Sequence, residues 1–144
     1  MRDIQEERLR VELHTHTSAS EDSMMKPEQL LRRCEQLGID RIAITDHHTI
    51  SMALKMNKLA PERVIVGEEI ETSQGELIGY YLKEEVTSGL EPLETIRRLR
   101  DQGAVISIPH PFDTIRNPSW TPAQLEVIAP YVDAVETFNA RCLN

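Results

Sequence analysis

A chain of 144 residues, 40% hydrophobic and 28% charged, suits one soluble domain with a core of its own. Its formal net charge of −8 opposes broad binding to nucleic-acid backbones or anionic membranes, yet leaves room for a small phosphorylated ligand where bound cations invert the local field. With no apolar run of about 18 residues and a charged start, Met1-Arg2-Asp3-Ile4-Gln5-Glu6-Glu7-Arg8, the sequence predicts a cytoplasmic protein without a membrane span.

In chain order, Leu9 to Leu13 reads as a first strand that delivers His14 and His16 at or just past its end. Residues i and i+2 of a strand share a face with Cα atoms roughly 6–7 Å apart, so the two imidazoles can grip one metal ion. A polar loop follows, in which Asp22 can fold back beside them. Pro27 and Gly38 bracket a helix with the stripe Leu30, Leu31, Cys34 and Leu37, although Lys26 is a poor cap for its start. Cys34 reads as a small buried apolar residue, and with Cys142 it suggests no disulfide framework.

Arg41 to Thr45 is a second, buried strand that runs into Asp46-His47-His48. Thr49 is placed to cap a helix carrying Ile50, Ala53, Leu54 and Leu59, stopped by Pro61. Val64 to Glu71 and Glu76 to Leu82, joined by Ser73-Gln74-Gly75, form a hairpin. Pro92 opens a helix with Leu93, Ile96 and Leu99 on one side; Ala104 to Ile108 is a strand entering Pro109-His110-Pro111. Thr121-Pro122 begins a short helix through Leu125 and Ile128, and Val132 to Phe138 is a last strand.

Strands alternating with helical stripes imply an α/β fold with a largely parallel sheet, whose ligands collect at the carboxyl ends of the strands. All five histidines fall there, close to carboxylates. Nitrogen and oxygen donors without thiolates suit zinc, manganese or iron better than calcium, and the sequence does not choose among the three. Metal ions of this kind activate water and neutralise phosphate oxygens, which points to phosphoester hydrolysis. Neither a Gly-rich phosphate loop nor a Gly-x-Ser-x-Gly elbow is present.

Taken together, His14-Thr15-His16-Thr17, Ser20-Glu21-Asp22-Ser23, Ile44-Thr45-Asp46-His47, Gly67-Glu68-Glu69-Ile70 and Pro109-His110-Pro111-Phe112 resemble, in order, the motifs of the polymerase and histidinol phosphatase (PHP) superfamily. The resemblance runs from about Leu9 to Asn144, which leaves residues 1–8 as an N-terminal extension and 9–144 as the PHP domain. It implies a distorted, TIM-like β/α barrel with a phosphoesterase site of two or three divalent metals. By motif, His14 and His16 bind the first metal, Glu69 bridges it to a second completed by His110, and Asp22 and His47 lie on a third. Glu76 stands where many members have a histidine and is kept as a ligand.

Family barrels continue past the segment resembled by Val135-Glu136-Thr137-Phe138-Asn139-Ala140-Arg141 and supply a late Asp-x-His pair. A full β/α barrel needs at least ~200 residues. The expectation is therefore an incomplete barrel lacking its C-terminal strands: the N-terminal portion of a longer, active protein, or a chain whose missing wall comes from a second copy. On this expectation the 144-residue chain itself is nearly inactive.

Other polar residues have plainer readings. Asp46 is expected to support a neighbouring ligand or to anchor a loop, and Glu68 and Glu71 to be solvated. Arg97, Arg98 and Arg100 read as a solvated helix face. Arg116 ranks first for binding a phosphate, with His48 as a second substrate contact or a solvent-facing residue. Phe112 and Trp120 could stack on a base or simply pack the loop. The functional expectation is a metal-dependent phosphoesterase acting on a small substrate, a nucleotide or a sugar or amino-alcohol phosphate, rather than a nucleic-acid polymer. A noncatalytic metal-binding or interaction module is the alternative, and an amidohydrolase-like enzyme fits the Thr-Asp-His and Pro-His-Pro segments less well.

Overall fold

The computed structural model describes residues 8–113, 115 and 119–139. Six strands form one sheet in the order β1-β2-β3-β4-β5-β6. They are β1 Val11–Thr15, β2 Arg41–Ile44, β3 Val64–Glu71, β4 Glu76–Tyr80, β5 Val105–Ile108 and β6 Ala134–Val135. Between them lie α1 Pro27–Leu37, α2 Ser51–Leu59, α3 Pro92–Asp101 and α4 Pro122–Ile128, the last followed by a 3-10 turn at Ala129–Tyr131. The sheet is mixed, because β4 runs antiparallel to both β3 and β5 while the other neighbours are parallel. It curls into a half-barrel with helices on its outer face, the incomplete barrel that the sequence predicts. Among the described residues no helix is long and apolar enough to cross a membrane.

Strand alternation sorts the side chains onto two faces. Ile42 and Ile44 of β2, Val64, Val66 and Ile70 of β3, Leu77 of β4 and Ile106 and Ile108 of β5 belong to the large core shared with the helices. Ala43, Ile65, Ile78 and Tyr80 form a smaller apolar cluster on the opposite, inner face. By the same period of two, Glu69 and Glu76 lie on the inner face and Glu68 on the outer one. An aliphatic floor thus sits beneath a polar upper layer.

Several local expectations are corrected. The first strand is shifted along the chain, so that His14 lies inside it, and its register against β2 slips by a residue between Glu12 and Thr15. The Glu12 carboxylate accepts the Leu13 and His14 N–H groups at 3.1 and 3.2 Å, which stabilises the irregular stretch. In α2 the buried residues are Ala53 and Met56, while Leu59 is exposed because it occupies the helix's last position. Leu93 of α3 is half exposed and Thr95 is buried in its stead. The helix α1 follows expectation, with Gly38 adopting φ 63° at its C-terminal stop. Only two residues of the predicted last strand pair.

Trp120 is buried against Gly75, and its Nε1 donates to the Glu76 carbonyl at 3.1 Å. It therefore packs the hairpin end instead of offering a stacking surface. A Cβ on Gly75 would come within 2.4–2.6 Å of three indole atoms. Gly75→Ala is expected to destabilise the protein by about 1–3 kcal/mol through overpacking. Urea unfolding checks this, and an unchanged midpoint would show that the Trp120 loop can retreat without cost.

Candidate metal centre

The carboxyl ends of β1, β2, β3 and β5 meet at one buried carboxylate. Glu69 is fully buried on β3. Its Oε2 lies 3.0 Å from His14 Nε2, 2.9 Å from His16 Nε2 and 3.4 Å from His47 Nε2, and its Oε1 lies 2.8 Å from His110 Nε2. Glu76 stands at the far side, 3.5 Å from His110 Nε2 and 3.9 Å from His47 Nδ1. Asp22 folds back from its loop to 3.4 Å from His16 Nδ1. All seven candidate ligands named from the sequence are therefore in one connected cluster.

Within it, three sets have ligand atoms within 4.8 Å of one another: His14, His16 and Glu69; His16, Asp22 and His47; and His47, Glu69 and Glu76. The first matches the predicted first site. The second adds His16 to Asp22 and His47, and the third brings His47 beside Glu69 and Glu76, which His110 also approaches at 2.8 and 3.5 Å.

Local hydrogen bonds aim these rings. Asp46 is fully buried, and its carboxylate accepts from the Thr17 N–H at 2.5 Å, the Thr17 hydroxyl at 2.7 Å and the Ser20 hydroxyl at 3.1 Å. It anchors the loop after β1, as expected. The Ser20 oxygen, having donated to Asp46, accepts the His47 N–H at 2.8 Å and faces His16 Nδ1 at 3.2 Å. A proton on His16 Nδ1 leaves the lone pair of Nε2 facing Glu69. The Glu69 N–H meanwhile donates to the Asp46 carbonyl at 3.3 Å, alongside a parallel bridge between His47 and Glu69.

Electrostatics follow from this crowding. Burial pushes the Glu69 carboxyl upward, but hydrogen bonds with His110, His14 and His16 outweigh it and hold the group well below its ordinary range. Burial alone would lower His14, whereas contacts with Glu136 and Glu69 lift it to about 9. Glu68, one residue away on the outer face, is not solvated as expected. It is fully buried; burial raises it to about 7, and its Oε2 accepts the Val86 N–H at 2.9 Å.

The donor set fits a transition-metal cation. His14 Nε2 and His16 Nε2 are 3.1 Å apart and both face the same oxygen of Glu69, so two ring protons there would oppose each other. Nitrogen and oxygen ligands about 2.0–2.1 Å from a shared ion are separated by roughly 3 Å. The observed spacings of 2.9–3.1 Å are of that size.

The remaining candidates fall differently. His48, at φ 59°, lines a cavity of about 490 Å³ beside the cluster, together with Glu21, Asp22, His47, Glu71 and Glu76. Phe112 is exposed beside His110. Arg116 and Cys142 lie outside the described residues. The arginine face is not merely solvated: Arg97 and Arg98 pair with Glu94, and Arg100 holds Asp133 at 2.8 Å and the Tyr131 carbonyl at 2.8 Å. Sequence reasoning gave Ser20 and Glu136 no function. Glu136 contacts His14 Nδ1 at 3.3 Å and accepts the His110 N–H at 2.7 Å. It lies just past the carboxyl end of β6, which the sequence did not reveal because the expected strand ran on to Phe138.

A half-barrel with a cluster of histidines and carboxylates at its strand ends defines a protein of the β/α class with a candidate metal site. The PHP domain model matches residues 12–109, and the chain belongs to that family. It is 34% identical over 145 residues to the uncharacterized protein MJ1587 of Methanocaldococcus jannaschii, covering 92% of this chain and 82% of that one. It is 39% identical over 140 residues to the uncharacterized protein MJ0417 of the same organism, covering 93% of this chain and 54% of that one. Among solved structures, a two-domain protein of Bacteroides vulgatus containing a predicted PHP-like metal-dependent phosphoesterase superposes with a TM-score of 0.71 at 16% identity, covering 88% of this chain and 43% of that chain.

Removing Asp46 tests the scaffold under the cluster. Asp46→Ala leaves the buried Thr17 and Ser20 donors without their acceptor and is expected to cost roughly 2–4 kcal/mol. Chemical denaturation reads this, and a loss below about 1 kcal/mol would mean that water replaces the carboxylate without penalty.

Proposed function

We propose that this chain carries a metal-dependent phosphoesterase site for a small phosphorylated substrate. The observation that carries the reading is the convergence of four imidazoles on the buried Glu69. In this reading His14, His16 and Glu69 hold one divalent cation, Glu69, Glu76 and His110 a second, and Asp22 and His47 contribute to a third. Such cations, zinc, manganese or iron, supply Lewis acidity toward water and toward phosphate oxygens. Residues 9–144 form the domain and residues 1–8 its extension.

The chain's own residues set the conditions around that chemistry. Glu69 keeps its charge because the imidazoles surround it, so it is ready as an anionic ligand without first losing a proton. Ser20 and Asp46 hold His16 and His47 in place. The 490 Å³ cavity has the size of a pocket for a sugar phosphate, an amino-alcohol phosphate or a nucleotide. Its carboxylates Glu21, Asp22, Glu71 and Glu76 repel a phosphate until cations offset them, and the acidic residues left over favour hydroxyl or ammonium groups on the substrate. His48, at the cavity wall, is placed to touch the substrate, and Arg116 is kept as a phosphate contact on its sequence position.

Elemental analysis together with hydrolysis of a panel of phosphomonoesters in manganese or zinc tests the reading. The wild-type protein should take up metal, His14→Ala and Glu69→Gln should bind it roughly tenfold more weakly or worse, and Glu76→Ala should weaken it where Glu76→His preserves it. Unchanged metal content in the first two variants would sink the ligand set. Metal uptake with no hydrolysis of any ester would instead favour a noncatalytic metal-binding module.

A further inference from the structure

We infer that Glu136 is a positioning residue whose single carboxylate sets the tautomer of His14 and holds the turn that presents His110. The inference rests on the metal reading above. Glu136 follows β6, at one edge of the sheet, whereas His14 belongs to β1 at the other edge. The carboxylate spans the gap between these edges. Its Oε1 lies 3.3 Å from His14 Nδ1, its Oε2 accepts the His110 N–H at 2.7 Å, and the Asn139 amide donates to both oxygens at 3.2 and 3.1 Å. The Glu136 N–H is itself fixed to the Ile108 carbonyl at 2.9 Å.

Each contact has a chemical consequence. An ionised carboxylate only accepts hydrogen bonds, so His14 must present a proton on Nδ1, and Nε2 is then the nitrogen whose lone pair would face a cation held at the Glu69 cluster. A second-shell carboxylate of this kind orients a metal-ligating imidazole and raises its basicity. His110 has φ 27°, a backbone conformation that L side chains adopt rarely and that persists only when its surroundings enforce it. The bond from its N–H to Glu136 is one such constraint, and the Asp113 N–H donating to the His110 carbonyl at 3.0 Å is another. One group thereby aims His14 at Oε2 of Glu69 and His110 at Oε1.

Glutamine is the discriminating substitution, since it matches glutamate in shape but has one accepting oxygen where the site has three donors. Glu136→Gln is expected to keep the wild-type near-UV circular dichroism and to lower zinc affinity about 10–100-fold in a chelator competition. In the zinc-loaded wild-type protein, proton NMR should show a slowly exchanging downfield Nδ1–H resonance from His14, and that resonance should move upfield or broaden away in the variant. A purely structural role would leave this signature in place. Should Glu136→Gln fail to fold, Asn139→Ala carries the test: it keeps the carboxylate but frees it from its clamp, and zinc affinity should still drop severalfold. Wild-type zinc affinity and an unshifted resonance in the variant that folds would overturn this inference alone. A wild-type protein that takes up no zinc would overturn the functional reading and the inference with it.

Discussion

A carboxylate buried as completely as Glu69 is costly unless charge and hydrogen bonds surround it, and that requirement organises the upper half of this molecule. Its two oxygens are met by four rings arriving from three separate segments: β1 with the residue just after it, the loop after β2, and the turn after β5. None of these segments is adjacent to Glu69 in sequence. The curled sheet brings them together because each strand ends at the same level. Four imidazoles packed around one acceptor also crowd one another, with His14 and His16 ring centroids 5.2 Å apart and those of His16 and His47 4.8 Å apart. A cation held there would ease both problems, since it would offset the carboxylate's charge and take the facing lone pairs as ligands.

Neighbouring glutamates on β3 show how strictly the strand period controls chemistry. Glu69 faces inward and meets the imidazoles, while Glu68 faces the helical layer and meets only the Val86 N–H. Both are fully buried, yet one is held well below its ordinary range and the other is raised to about 7. Burial is common to the two. Their partners decide the sign. Among the described residues the remaining oxygen of Glu68 has no hydrogen-bond partner, a situation that disfavours the charged form and accords with the upward shift.

Much of this was legible in the sequence because hydrophobic period and strand-end chemistry are local signals. The apolar run Val64-Ile65-Val66, the turn at Gly75 and the proline-led starts of α1, α3 and α4 gave elements close to those observed. The seven candidate ligands could be named through the ordered motifs that resemble the PHP family, since Glu76 opens β4 and Glu69 lies within β3, where strand ends alone would not mark them. Less legible was whatever depends on a partner far along the chain. Glu68 looks solvated beside other acids, and nothing local reveals that the loop containing Val86 covers it. Leu93 and Leu59 fit apolar stripes by spacing, but burial depends on where the sheet ends beneath the helix. The mixed direction of the sheet follows from one hairpin, whose consequence for β5 appears only when β5 is paired with β4.

The last strand shows why spacing overestimated regular structure at the edge. Val132 to Phe138 has the composition of a strand, yet pairing is confined to Ala134–Val135. Side chains reinforce the backbone bonds that flank that short pairing, from the Asp133 N–H to the Ile106 carbonyl and from the Glu136 N–H to the Ile108 carbonyl, both 2.9 Å. Before it, Asp133 accepts the Ile106 N–H at 2.7 Å and is gripped by Arg100 from α3, an ion pair that also holds its carboxyl below the ordinary range through the guanidinium contact. After it, Glu136 takes the His110 N–H and reaches His14. Glu136, one residue past the pairing, thus joins the turn after β5 to β1 through a single side chain.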